Sequence, residues 1–224
     1  MGKITQISAS DGHQLAAYVA DKPGNDRWIV VIQEAFGVND HIRKVCDRFA
    51  ERGLNAIAPA LFDRIDRGVE LPYTAEGVAR YQELRKVMRK QDVLVDVTAA
   101  AATTGSSDPG IVGYCFGGTV AWWAATETTI FLAASCWYGG GIHAEQESVP
   151  NCAVQMHFGG KDPHIPLAHV EAIRLRHPEA EVWVYNDADH GFGCDARPSF
   201  HAPSNDLALQ RTQDFFQKHL KPSK

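Results

Sequence analysis

Apolar positions along this chain come in two alternating lengths, and the alternation predicts an architecture. Short β-rich runs read as strands: RWIVVIQEAF (27–36), LNAIAPAL (54–61), GIVGY (110–114), FLAASCWYG (131–139), CAVQMHFG (152–159) and AEVWVYN (180–186). Longer amphipathic stretches between them read as helices: 39–53, 74–104, 117–126, 166–177 and a last one near 204–219. Asn39 or Asp40 can cap the first of these and Gly53 can end it. Upstream, 3–10 and 13–21 flank Asp11-Gly12, a hairpin signal. Buried strands alternating with helices imply right-handed crossovers, hence a mainly parallel sheet with helices on both faces. The basic residues Arg80, Arg85, Lys86, Arg89 and Lys90 fall in the long helical region and read as a solvated face.

Composition narrows the class. With 224 residues, 45% hydrophobic and 22% charged, the chain is expected to form one α/β domain over 1–224. A net charge of −5 offers no basic surface for nucleic acid or an anionic membrane. No apolar run reaches the roughly 18–20 residues of a membrane span, and the start MGKITQISASDG lacks the apolar core of a secretory signal. Five cysteines, an odd number with no CxxC pair, fit free thiols in a reducing cytoplasm. The ten histidines form neither an HExxH nor a Cys/His cluster with zinc spacing, so no metal is expected.

Chemistry concentrates in three loops that follow predicted strands, where open parallel sheets place their sites. GYCFGG carries the spacing Gly113-x-Cys115-x-Gly117, a nucleophile elbow with sulfur in place of a serine oxygen. The helix that starts near Phe116 would favour negative charge on that sulfur. HFGGKDPHIP places Asp162 after a strand, where a carboxylate can orient an imidazole. YNDADHGFGCD places His190 after the next strand, with Asp187 and Asp189 as loop and turn residues. Each has a plain structural reading when taken alone: a packed cysteine, a helix cap, a surface histidine. Together they follow the order nucleophile, acid, histidine of the α/β hydrolases.

These segments, with QEAFGVN (33–39) and APALFDR (58–64), resemble the dienelactone hydrolases, or carboxymethylenebutenolidases, over nearly the whole chain. The resemblance implies a single-domain α/β hydrolase with no lid domain and no cofactor; the expected partner is a small-molecule substrate, with the chain a monomer or weak homodimer. It puts the nucleophile on Cys115, the acid on Asp162 and the base on His190. It also implies that Glu34, which ends a buried strand, helps switch the thiol to thiolate, and that Ala35 and Phe116 supply the oxyanion-hole N–H groups. Arg64 matches a family arginine that binds a substrate carboxylate, against a competing reading as an ion pair with Asp63 or Asp66. A second family arginine is absent from its usual place. Gly191 stands for a serine, Cys194 for that arginine, and Arg197 lies three residues later. Phe36, Tyr73, Tyr81, Trp137 and Tyr138 are candidates to line the pocket.

The resulting expectation is a cysteine-dependent hydrolase of small, carboxylate-bearing lactones or esters, working through an acyl-enzyme on Cys115. A broad short-chain ester or thioester hydrolase is the nearest alternative. A redox thiol or small-molecule binder on the same fold is the alternative from a different class.

Overall fold

The structure, a computed structural model, describes residues 2–221. Among the described residues the chain divides into two compact units, 2–109 with Lys221, and Gly110–Leu220.

The first unit opens with the expected hairpin. Strands β1 (Lys3–Ser8) and β2 (Gln14–Ala20) pair antiparallel, and Gly12 turns between them at φ 86°. Strand β3 (Trp28–Ile32) stops short of Phe36, leaving Gln33 to Asn39 as a loop. Helix α1 (Asp40–Glu51) is capped by Asn39, whose side chain accepts the Ile42 N–H, and it buries Ile42, Val45, Cys46 and Phe49. Strand β4 (Asn55–Pro59) completes the order β1-β2-β4-β3, antiparallel to β2 and parallel to β3. A short 3-10 turn, Leu61–Arg64, follows.

The long helical region expected around 74–104 consists of two helices, α2 (Ala75–Val87) and α3 (Lys90–Thr103). Met88 and Arg89 are extended between them, with neither Gly nor Pro to mark the break. The Arg89 guanidinium pairs with Asp92 in the first turn of α3. Burial separates the two: α2 buries only Gly77 and Leu84, whereas α3 buries Val93, Asp96, Val97 and three alanines and packs on β1, β3 and β4. The basic face is paired as well as solvated, since Arg80 reaches Asp66 and Glu83.

The second unit is regular. Strands β5 (Gly110–Tyr114), β6 (Ala133–Trp137), β7 (Ala153–Gly159) and β8 (Glu181–Tyr185) pair in that order, all parallel. Helices α4 (Phe116–Glu127), α5 (Leu167–Arg176) and α6 (Ala202–His219) connect or follow them. Strands β5 and β6 are buried throughout, as parallel strands covered on both sides must be. No helix among the described residues is long and apolar enough to cross a membrane.

Where β6, β7 and α6 meet, a buried polar network replaces apolar packing. Gln155 Nε2 donates to Glu181 and to the Arg211 carbonyl, which turns its Oε1 toward His157 Nε2 at 2.8 Å. His157 therefore carries its proton on Nε2 and accepts the Tyr185 hydroxyl at Nδ1, 2.8 Å away. Thr212 Oγ1 sits 3.0 Å from the same Nε2 and accepts the Trp137 indole N–H. A neutral imidazole satisfies every partner here, and burial pushes the pKa of His157 down to about 3.

His157 stays neutral in the fold below its ordinary value of 6.5, while the unfolded chain takes up the proton. The folded state is thus penalised as pH falls from 6.5 toward 3, by about 2 kcal/mol at pH 5. Denaturant melts of wild type and His157→Gln across pH 7 to 5 should show a steeper fall for wild type. Parallel pH profiles would mean that His157 takes up its proton inside the fold.

Candidate active site

Cys115 sits between β5 and α4 with φ 55° and ψ −114°, outside the regions a side-chain-bearing residue normally occupies. The turn is this tight because its glycines are this close. A Cβ on Gly113 would overlap the Gly117 carbonyl, and one on Gly118 the Trp137 carbonyl. The backbone is pinned on both sides: the Cys115 N–H donates to Trp137 O at 3.0 Å, and the Gly118 N–H donates to Cys115 O at 3.0 Å. Backbone strain of this kind persists only where surrounding contacts over-determine it. The sulfur is half-buried, and Phe116 occupies the first helical position behind it.

His190 bridges the other two members. Its Nδ1 lies 2.7 Å from Asp162 Oδ2 and its Nε2 lies 3.2 Å from Cys115 Sγ. Asp162 is buried, and its second oxygen is taken by the N–H groups of His164 (2.8 Å) and Ile165 (3.2 Å). Burial acts to lower the His190 pKa. The hydrogen bonds and charges of Asp162 and Cys115 outweigh it and raise the value to about 10. The stability this pairing contributes is fully present below the ordinary imidazole value of 6.5 and is lost as pH rises through about 10.

The acid and histidine loops are joined by backbone bonds. Gly160 N–H donates to Tyr185 O (2.7 Å) and Lys161 N–H to Ala188 O (2.9 Å). Lys161 Nζ adds an ion pair with Asp187 at 3.0 Å. Two further rings stand on His190 edge-on: Tyr138, fully buried and itself at φ 38°, and the exposed His164. Tyr138 was legible as an aromatic near a strand end. His164 was missed, although it stands two residues beyond the acid. Within either unit taken by itself, no three His, Cys, Asp or Glu side chains among the described residues converge to hold a metal.

The remaining sequence candidates divide. In the first unit, Phe36 and Tyr73 pack with their rings tilted and centroids 4.4 Å apart. The Tyr73 hydroxyl accepts from Asn39 (3.0 Å) and reaches Glu34 Oε2 at 3.4 Å, so Glu34, Tyr73 and the helix cap form one string. Ala35 lies buried beside them in the chain, and Tyr81 packs toward Phe62. In the second unit, the Arg197 guanidinium lies over Gly191, where any Cβ would overlap it. Glycine in place of serine at 191 therefore makes the room that Arg197 occupies, while Cys194, at the missing arginine's position, is buried.

Two assignments change. Trp137 is fully buried, stacked on Phe192 and bonded to Thr212, so its ring is core and not a pocket wall. Arg64 is committed to the protein itself. Its Nε and Nη2 fork onto Asp96 at 2.7 Å each, and Nη1 meets Asp11 at 2.7 Å. Asp96 has no solvent exposure, and burial pushes its carboxyl pKa up against the pull of the guanidinium. The sequence-adjacent acids considered for Arg64 are used elsewhere: Asp63 accepts the Ala16 and Gly68 N–H groups, and Asp66 pairs with Arg80.

With fold and geometry in view, the sequence pattern of the dienelactone hydrolase family matches residues 15–220. This chain belongs to the dienelactone hydrolase family. It is 36% identical to a provisionally named carboxymethylenebutenolidase of Yersinia pestis, over 94% of this chain and 86% of that one. A provisionally named carboxymethylenebutenolidase of Synechocystis is 34% identical over 93% of both. The crystal structure of a provisionally named dienelactone hydrolase from Klebsiella pneumoniae superposes with a TM-score of 0.84 at 29% identity, covering 98% of this chain and 100% of that one. The fold is accordingly that of the α/β hydrolases, and the chain is a carboxylic ester hydrolase of the dienelactone hydrolase type.

Removing Arg64 strands a buried carboxylate. Arg64→Ala should cost about 3–5 kcal/mol in urea unfolding, and Arg64→Lys should recover only part because an ammonium cannot fork. The ratio of kcat/KM between a carboxylate-bearing and a neutral ester should stay put. A loss confined to the carboxylate-bearing ester would restore Arg64 to the site.

Proposed function

We propose that this hydrolase uses Cys115 as a covalent nucleophile on small, carboxylate-bearing lactones or esters. The observation that carries the reading is His190, which holds Asp162 through one ring nitrogen and Cys115 through the other. With its pKa raised, His190 can hold a proton on both nitrogens, facing the sulfur with one N–H and the carboxylate with the other.

In the proposed cycle the thiol proton resides on His190 Nε2 while Sγ attacks the substrate carbonyl carbon. The carbonyl π pair moves onto oxygen, and that oxyanion takes the N–H groups that the family resemblance assigns, those of Phe116 and Ala35. Collapse expels the alkoxide, which takes the proton from Nε2. In a lactone that alkoxide stays tethered to the acyl group. Water then gives a proton to His190 and attacks the thioester, releasing the acid and returning the thiol. Glu34 is proposed, on the same resemblance, to promote thiolate formation when substrate binds. No cofactor enters these steps.

Carboxylate recognition moves from Arg64 to Arg197. Its guanidinium lies over Gly191, next in the chain to the base, and a planar fork suits a carboxylate.

Cys115→Ala should keep the fold and lose turnover of p-nitrophenyl acetate by roughly a thousandfold or more. His190→Ala should lose a similar amount, and the double variant little beyond either single one. Inactivating iodoacetamide should land on Cys115, since burial pushes Cys152 up to about 11 and encloses Cys46 and Cys136 fully. Wild-type-like hydrolysis by Cys115→Ala removes the covalent mechanism.

A further inference from the structure

We infer that His164 is a specificity-determining residue, whose imidazole donates a hydrogen bond to the carboxylate of a bound substrate beside the scissile ester. The inference rests on the ester-hydrolase reading above and adds to it a residue that the triad does not require.

Three observations lead there. First, the His164 backbone is fixed to the catalytic acid itself, because its N–H donates to Asp162 Oδ1 at 2.8 Å. The same carboxylate holds His190 through its other oxygen at 2.7 Å, so one group sets the positions of both histidines. Second, the two rings meet edge to face, with centroids 5.2 Å apart and planes at 87°. Third, His164 is exposed while the His190 side chain is 11% exposed, and no described residue bonds the His164 ring nitrogens.

An exposed imidazole on a mobile loop offers little selectivity, because a ligand must order it first. His164 is held at its backbone by the acid and at its ring by the base, so that cost is largely met before a substrate arrives. A neutral imidazole always keeps one N–H donor. That donor stands about one ring's width from the imidazole that serves the reacting carbonyl. A substrate whose acyl chain carries a carboxylate a few bonds from the ester carbonyl can reach it, and a simple alkyl ester has nothing to offer it.

The test separates this inference from the covalent mechanism. In Cys115→Ala protein, the His164 imidazole proton resonances, assigned by their absence from His164→Gln, are followed as monomethyl succinate or methyl butyrate is added. A saturable shift with the succinate ester and none with the butyrate is expected. In the otherwise wild-type enzyme, His164→Phe keeps a ring against His190 but has no donor, whereas His164→Gln keeps a donor. The ratio of kcat/KM for mono-p-nitrophenyl succinate to that for p-nitrophenyl acetate should fall about tenfold in the Phe variant and less in the Gln variant. Equal losses on both substrates, an unchanged ratio, or no resonance shift would overturn the inference. Turnover by the Cys115→Ala protein would instead overturn the nucleophile and leave the resonance result to judge His164.

Discussion

The second unit is organised around a backbone turn that can barely be made. The chain leaves β5 and enters α4 through a cysteine at φ 55°, and the turn closes only because Gly113 and Gly118 have no side chains to collide with Gly117 and Trp137. The end of β6 must then supply a carbonyl at one fixed place, to accept the Cys115 N–H. That requirement fixes Trp137. Its indole is held by Thr212 of α6, and Thr212 is held in turn by the His157 network. A helix at the far end of the chain thus helps aim a thiol that precedes it by almost a hundred residues. The polar core looks costly in isolation, yet each of its donors finds an acceptor, which is the condition under which buried polar groups specify one arrangement.

Much of this was legible in the sequence. Strand–helix alternation, the elbow spacing and the order of the three loops singled out Cys115, Asp162 and His190, and the structure brings their side chains together at His190. The hairpin at Gly12 and a helix start capped at Asn39 or Asp40 were also readable, since turn and cap chemistry is local, and Asn39 is the cap. What failed was whatever depended on distant partners. Arg64 reads as a substrate-binding guanidinium or as a partner of Asp63 or Asp66, because Asp96 lies 32 residues away in the long helical region. Trp137 looked like a pocket aromatic because nothing in FLAASCWYG says that Thr212 will take its N–H. The break at Met88 left no mark, since no proline or glycine makes it. His157 reads as one polar residue in a strand, and its role appears only when Gln155, Tyr185 and Thr212 converge on it.

Gly191 and Arg197 show how one small residue can recast a departure from a family pattern. Read singly, a serine lost at 191 and an arginine lost at 194 bear on which substrate the site takes. In the structure the loss at 191 is the space that a guanidinium fills, and position 194 has become core.

The occupancy of Asp162 also has a consequence for tautomers. One carboxylate oxygen receives two backbone N–H groups and the other receives the imidazole. An asparagine at 162 would have a single way to sit, with its oxygen toward the two fixed amides and its NH2 toward His190. Nδ1 would then have to become the acceptor, which sends the ring's one remaining proton to Nε2, the nitrogen facing sulfur. Such a variant would keep the heavy-atom geometry of the triad nearly intact. Its imidazole would have no lone pair to offer the thiol. The tautomer of His190 is thus tied to two amide hydrogens on the far side of Asp162.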